Sequence, residues 1–250
     1  MPISVPTPTL VALRPLTAVL IAVLMAIPVG LAITGCSHWI GAGSGHALHP
    51  PSTSAAASAS SPSASGDKNP TPSSAPNPGS PVSAVIAWIE AGHPADPGRY
   101  HGATRDGVVT PLGVDIAFSA QGGKTICATD TERTGTTLDC LIELRGPPPR
   151  PDTAYGQWIG GWTSFDGVNL QVGAARADPG PFLNGNGAEL AVGDTLAFGD
   201  YRCRADPTGV ICVNYAHQSA VRFDAAGVQP YGCLRSVPAP DGIGVAFNCS

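Results

Sequence analysis

The chain has 250 residues, only 12% of them charged, with a formal net charge of -5 and just two lysines, Lys68 and Lys124. It carries no basic run to neutralise phosphates, which argues against nucleic acid as a partner, and its charge is too slight for an acidic interaction tail. The 26 prolines and 31 glycines together exceed a fifth of the residues, a composition that points to a partly unfolded chain.

Residues 16–33 read LTAVLIAVLMAIPVGLAI, an apolar run preceded by a single charged side chain, Arg14. A cationic start, an apolar stretch and an exit of small residues describe a secretory signal peptide. The same length just reaches across a bilayer as a helix, but Pro28 and Gly30 weaken its last turns and suit a processed leader better. The run ends in Ile33-Thr34-Gly35-Cys36, which resembles the bacterial lipobox of an aliphatic residue, two small residues and an obligatory cysteine. That resemblance implies that residues 1–35 are a signal peptide, that the Cys36 thiol takes a diacylglyceryl group, and that Cys36 becomes the N-terminus. The absence of a twin-arginine pair favours the general secretion route. Losing Arg14 with the leader leaves 12 basic against 18 acidic residues. Acyl chains rather than charge would then hold the protein on a membrane.

Residues 36–80 read as a tether. From His49 to Pro81 there is no Val, Ile, Leu, Met or aromatic residue, and Ser, Pro and Ala fill 22 of the 30 positions from 51 to 80. Such a segment cannot bury enough apolar surface to offset its ordering entropy. As a flexible coil it spans about 35–40 Å. His38, His46 and His49 lie in it without a fold to give them a metal-binding geometry.

A single domain is expected over 81–250. Ser80 is placed to N-cap a helix, Pro81 suits its first position and Gly92 suits a left-handed C′. Val82, Val85, Ile86 and Ile89 give that helix an apolar face, with Trp88 beside it. Beyond it the chain reads as short strands between turns: VDIAF (114–118), KTIC (124–127), LDCLIEL (138–144), NLQVG (169–173), TLAFGDYRCR (195–204), GVICVNY (209–215) and SAVRF (219–223). This spacing predicts a mainly β, antiparallel domain with one short N-terminal helix.

Setting Cys36 aside leaves six cysteines, an even number that implies three disulfides in an exported domain. Asp206-Pro207-Thr208-Gly209 has type I turn preferences, and a two-residue loop at Pro207-Thr208 sets Cys203 opposite Cys212. A two-residue loop at Arg133-Thr134 sets Cys127 opposite Cys140 by the same count. Non-hydrogen-bonded pairs stand about 4.5 Å apart, within disulfide range. Cys233 and Cys249 pair by remainder, across a wider bend through residues 238–242. The three Cys-hairpins look alike and suggest internal repeats.

No metal, nucleotide or cofactor signature is present. GAGSG (41–45) lacks nucleophile-elbow spacing, and DTERTG (130–135) starts like a calcium loop but has Leu141 where the closing Glu belongs. Two constellations remain. His93, Asp96, Arg99, Tyr100 and His101 share one loop, a potential acid–base site without a nucleophile in view. Tyr155, Trp158 and Trp162 lie among glycines, either as a flat stacking surface for a sugar or as core.

The Ala/Gly/Pro-rich, Lys-poor usage, the ITGC site, the Ser/Pro tether and DYRCRADPTGVICVNYAHQSAVRF (200–223) together resemble the secreted lipoproteins of mycobacteria and related actinobacteria. The resemblance implies a location, the extracytoplasmic face of the cell membrane, and no chemistry. Three roles follow as expectations: a binding or adaptor domain for an envelope glycan, lipid or protein; an envelope hydrolase using the His93–His101 loop; or a structural, antigenic stalk.

Overall fold

The computed structural model describes residues 74–250; the leader, Cys36 and the tether up to residue 73 lie outside the described residues. The described part is mainly β with two short helices. It begins seven residues before the boundary expected at 81. Ala75 packs against the apolar cluster under the helix, and the Tyr231 hydroxyl donates to the Pro76 carbonyl at 3.1 Å.

Helix α1 (Val82–Glu90) buries Val85, Trp88 and Ile89. Both of its ends differ from expectation. Pro81, in extended backbone, is itself the N-cap, so Ser80 stands one residue too early to cap, and no side chain closes the first turn. Gly92 is not left-handed; the helix ends on Ala91 in the right-handed region. Gly92 is small for another reason, because a Cβ there would collide with Thr195 Oγ1. The Thr195 hydroxyl in turn donates to the Ile89 carbonyl at 2.8 Å. A side chain from a distant strand therefore adds a second hydrogen bond to a helix-end carbonyl that already accepts the Gly92 amide at 3.0 Å.

The strands are β1 (His93–Pro94), β2 (Gly102–Arg105), β3 (Val108–Pro111), β4 (Ala117–Ala120), β5 (Thr125–Thr129), β6 (Leu138–Ile142), β7 (Gln157–Phe165) and β8 (Asn169–Arg176). The rest are β9 (Asn186–Glu189), β10 (Asp194–Phe198), β11 (Tyr201–Ala205), β12 (Gly209–Asn214), β13 (Ser219–Asp224), β14 (Gly227–Tyr231), β15 (Arg235–Val237) and β16 (Ile243–Asn248). One sheet runs β1-β10-β11-β12-β13-β14, the other β15-β16-β8-β7-β6-β5-β4-β9-β2-β3. TLAFGDYRCR is two strands rather than one: the chain reverses at Gly199-Asp200, where Gly199 has φ 45°, and β10 pairs with β11.

The two sheets pack face to face through one core that includes Phe118, Phe165, Leu138, Leu196, Val221 and Phe223. Strand periodicity assigns the faces. On β12, Val210 and Cys212 enter this shared core, while Ile211 and Val213 point the other way and meet Val85, Trp88 and Ile89 of α1. On β4, Phe118 and Ala120 face the shared core, and Ala117 joins Trp162 and Phe182 on the outer face of the larger sheet.

Three disulfides join Cys127 to Cys140, Cys203 to Cys212 and Cys233 to Cys249. Cys203 faces Cys212 with Cα atoms 4.0 Å apart, in the register set by the tight turn, where the Asp206 amide donates to the Gly209 carbonyl. Cys127 faces Cys140 at 4.1 Å, but the loop between them is longer than two residues. A single helical turn, α2 (Thr131–Thr134), fills it, capped by the Asp130 carboxylate and left through Gly135 at φ 64°. These four cysteines are fully buried in the shared core. Cys233 and Cys249 are half-buried, just beyond the ends of the β15–β16 pair, across a bend that spans 238–242.

Asn is tolerated at a left-handed helix end but does not relieve a clash. Gly92→Ala and Gly92→Asn are therefore both expected to lower unfolding free energy by about 1–3 kcal/mol, read by urea denaturation. Wild-type stability in Gly92→Asn alone would restore the left-handed reading.

Candidate binding site

The His93–His101 loop does not converge on one point. His93 lies on the edge strand β1 with its side chain 88% exposed, 4.0 Å from an Asp194 carboxylate oxygen. Asp96 accepts from the Gly98 amide and so caps a 3₁₀ turn at Pro97–Tyr100. Arg99 faces solvent, whereas Tyr100 is buried in the shared core, where burial raises its pKa. The half-buried His101 bonds through Nδ1 to the Asp115 carbonyl at 2.9 Å.

Tyr155, Trp158 and Trp162 occupy three different environments rather than one surface. Tyr155 is 90% exposed. Trp158 is half-buried and packs over Gly160, Gly173 and Gly244. Trp162 is buried on the outer face of the larger sheet. The glycines around the tryptophans serve the backbone. Between Ile159↔Ala174 and Thr163↔Val172, three residues of β7 oppose Gly173 alone. Gly173 takes φ 75°, and a Cβ on Gly161 would strike the Ile142 carbonyl. The bulge re-aims the strand, as bulges do beside sites, and Trp162 lies within it.

Around Trp162 is a polar constellation from three strands. Its indole Nε1 donates to Asp139 Oδ1 on β6 at 3.2 Å and reaches Ser164 Oγ on β7 at 3.1 Å. Ser164 also donates to Asp139 Oδ1. Arg176, the last residue of β8, lays its guanidinium 4.0 Å from the Trp162 ring centroid, a cation–π arrangement, and extends toward Ser164. Phe182 meets the indole edge-on at 5.2 Å.

Of these groups Asp139, Trp162 and Arg176 border a cavity of about 350 Å³, within the range of ligand pockets. Its walls are the α2 turn (Asp130, Arg133, Thr134) and the segment Asp178–Pro181 with Leu183. Asp130 pairs with Arg133 at 3.6 Å, and Asp178 holds its wall by accepting from the Gly180 amide at 2.8 Å.

Asp139 is only 2% exposed. Burial pushes its carboxyl above the ordinary range, and the opposing pull of Ser164, Arg176 and Trp162 does not offset this. A buried carboxylate kept in a cavity against the preference of its surroundings is a feature of functional sites. Asp206 shows the structural contrast. Burial pushes it up too, but hydrogen bonds from Thr208 and Arg222 hold it below the ordinary range, and Arg222 bridges it to Asp224.

Of the constellation, Trp162 was singled out in the sequence and Asp139, Ser164 and Arg176 were not. One signal was available: in LDCLIEL, Asp139 alternates with Leu138 and Cys140 on a strand whose other face is also covered. Arg176 carried no local mark.

The fold and this site together define a disulfide-stapled β-sandwich with a lateral pocket. No protein-family model matches the chain, and no curated protein or solved structure is detectably similar to it.

Because the folded-state pKa of Asp139 is raised, the folded protein holds this proton more tightly than the unfolded chain does. The residue's contribution to stability is thus most favourable below the ordinary carboxylate range and is lost as pH rises through the raised value. Asn cannot ionise. The melting temperature of Asp139→Asn relative to wild type should therefore rise between about pH 3 and pH 7. A difference independent of pH would contradict this assignment.

Proposed function

We propose that the protein is a cell-envelope lipoprotein, a binding domain held at the extracytoplasmic face of the bacterial membrane by lipid on Cys36 and carried on the Ser/Pro/Ala tether. The cysteine economy carries the reading. All six cysteines of the described residues are used in disulfides, which form and persist in oxidising compartments. The seventh, Cys36, lies outside the described residues and closes an apolar leader in a lipobox-like ITGC.

Binding is favoured over hydrolysis by the dispersal of the His93–His101 side chains between solvent and core. It is favoured over a passive stalk by the pocket at Asp139 and Trp162. The partner sought is an envelope glycan, lipid or protein.

Cys36→Ala, expressed in a lipoprotein-processing bacterium fed labelled palmitate, is expected to lose all label and accumulate as uncut precursor. Undiminished labelling would refute the anchor.

A further inference from the structure

The binding-domain reading leaves the ligand open, and the Asp139 pocket narrows it. Both hydrogen bonds that Asp139 accepts, from Trp162 and Ser164, fall on Oδ1. Among the described residues no hydrogen bond falls on Oδ2, and Asp139 lines the cavity. A residue 2% exposed, with one carboxylate oxygen unpartnered among the described residues, thus lines space large enough for a small ligand.

Charge decides what fits. An anion would approach Asp139 and Asp178, since Arg133 in the same wall is already paired with Asp130. A cation at Asp139 would lie beside the Arg176 guanidinium, which already supplies attractive charge to that carboxyl and would repel it. A neutral hydroxyl meets neither obstacle, since it donates to a carboxylate and accepts from a guanidinium. The walls add Pro179, Pro181 and Leu183, an apolar surface suited to the C–H face of a sugar ring. A second cavity of about 280 Å³ shares Asp130, Arg133, Gly180, Pro181 and Leu183 with the first. A ligand of more than one ring therefore has a second recess beside the first, on the other part of this shared wall.

We propose that this groove binds a neutral oligosaccharide, with a sugar hydroxyl donating to Asp139 Oδ2. The inference rests on the binding-domain reading and names its site and ligand class. Trp162 contributes from beneath by orienting Asp139, rather than by stacking on the sugar, because its ring is already covered by Arg176 and Phe182.

The test is calorimetric titration of the full-length protein in detergent micelles. The probes are N,N′-diacetylchitobiose, cellobiose and maltotriose, with spermidine and glucuronate as charged controls. At least one neutral sugar should bind saturably with Kd below about 1 mM, and neither charged probe should compete. Asp139→Asn removes the charge from the acceptor and should weaken binding about tenfold. Thr134→Trp fills the mouth from the α2 wall, remote from the Asp139 hydrogen bonds, and should abolish binding; it decides the matter if Asp139→Asn does not fold. Absence of binding by all three sugars, Asp139-dependent binding of spermidine, or sugar binding unchanged in both variants would each overturn the proposal. Lipid labelling of Cys36 is read separately, so a labelled protein that takes no sugar defeats this site and leaves the anchor standing.

Discussion

Two disulfides, Cys127–Cys140 and Cys203–Cys212, lie fully buried in the core shared by the two sheets, and the architecture is organised around them. Each ties a central antiparallel pair, β5–β6 in one sheet and β11–β12 in the other. Outward from these pairs the sheets follow the same plan. The order β9-β4-β5-β6-β7-β8 matches β1-β10-β11-β12-β13-β14, each opening on a parallel pair and continuing as an antiparallel meander. The opening strands are exchanged along the chain. β1 precedes β4 yet joins β10, whereas β9 follows β8 yet joins β4. Neither sheet is complete without a strand from the other's part of the chain, so the halves fold as one unit. Each disulfide adds roughly 2–4 kcal/mol, in the chain-entropy account by constraining the unfolded ensemble.

What the sequence revealed follows the range of the interactions. The Cys203–Cys212 register was legible because a four-residue turn sets it. The Cys127–Cys140 register was legible by parity alone, since a capped helical turn replaces the assumed tight loop without shifting the pairing. Gly92 was misread because its constraint comes from Thr195, over a hundred residues away in sequence. TLAFGDYRCR was misread as one strand because Gly-Asp is a short turn signal within continuous β-formers. The glycines of WIGGW mark a bulge packed against Ile142 and Gly173, contacts with no local signature.

The pocket shows the same limit at the level of chemistry. Asp139, Trp162, Ser164 and Arg176 come from three strands of one meander, and only strand pairing makes them neighbours. The aromatic residue drew attention in the sequence, yet the structure gives it a supporting role: it donates to the carboxylate through the same oxygen as Ser164 and carries the guanidinium on its face. The pressure that burial places on that carboxylate is the cost of holding an ionisable group almost wholly out of solvent.

The cysteine economy connects this domain with the proposed anchor. Six thiols are consumed inside the described fold, and the seventh follows the apolar run of residues 16–33. Non-reducing peptide mapping by mass spectrometry, on protein purified from the cell envelope, tests that account most directly. It predicts linked peptides for Cys127–Cys140, Cys203–Cys212 and Cys233–Cys249, and an N-terminal Cys36 carrying a thioether-linked diacylglycerol. A Cys36 recovered as a free thiol, in a disulfide, or still preceded by residues 1–35 would contradict it.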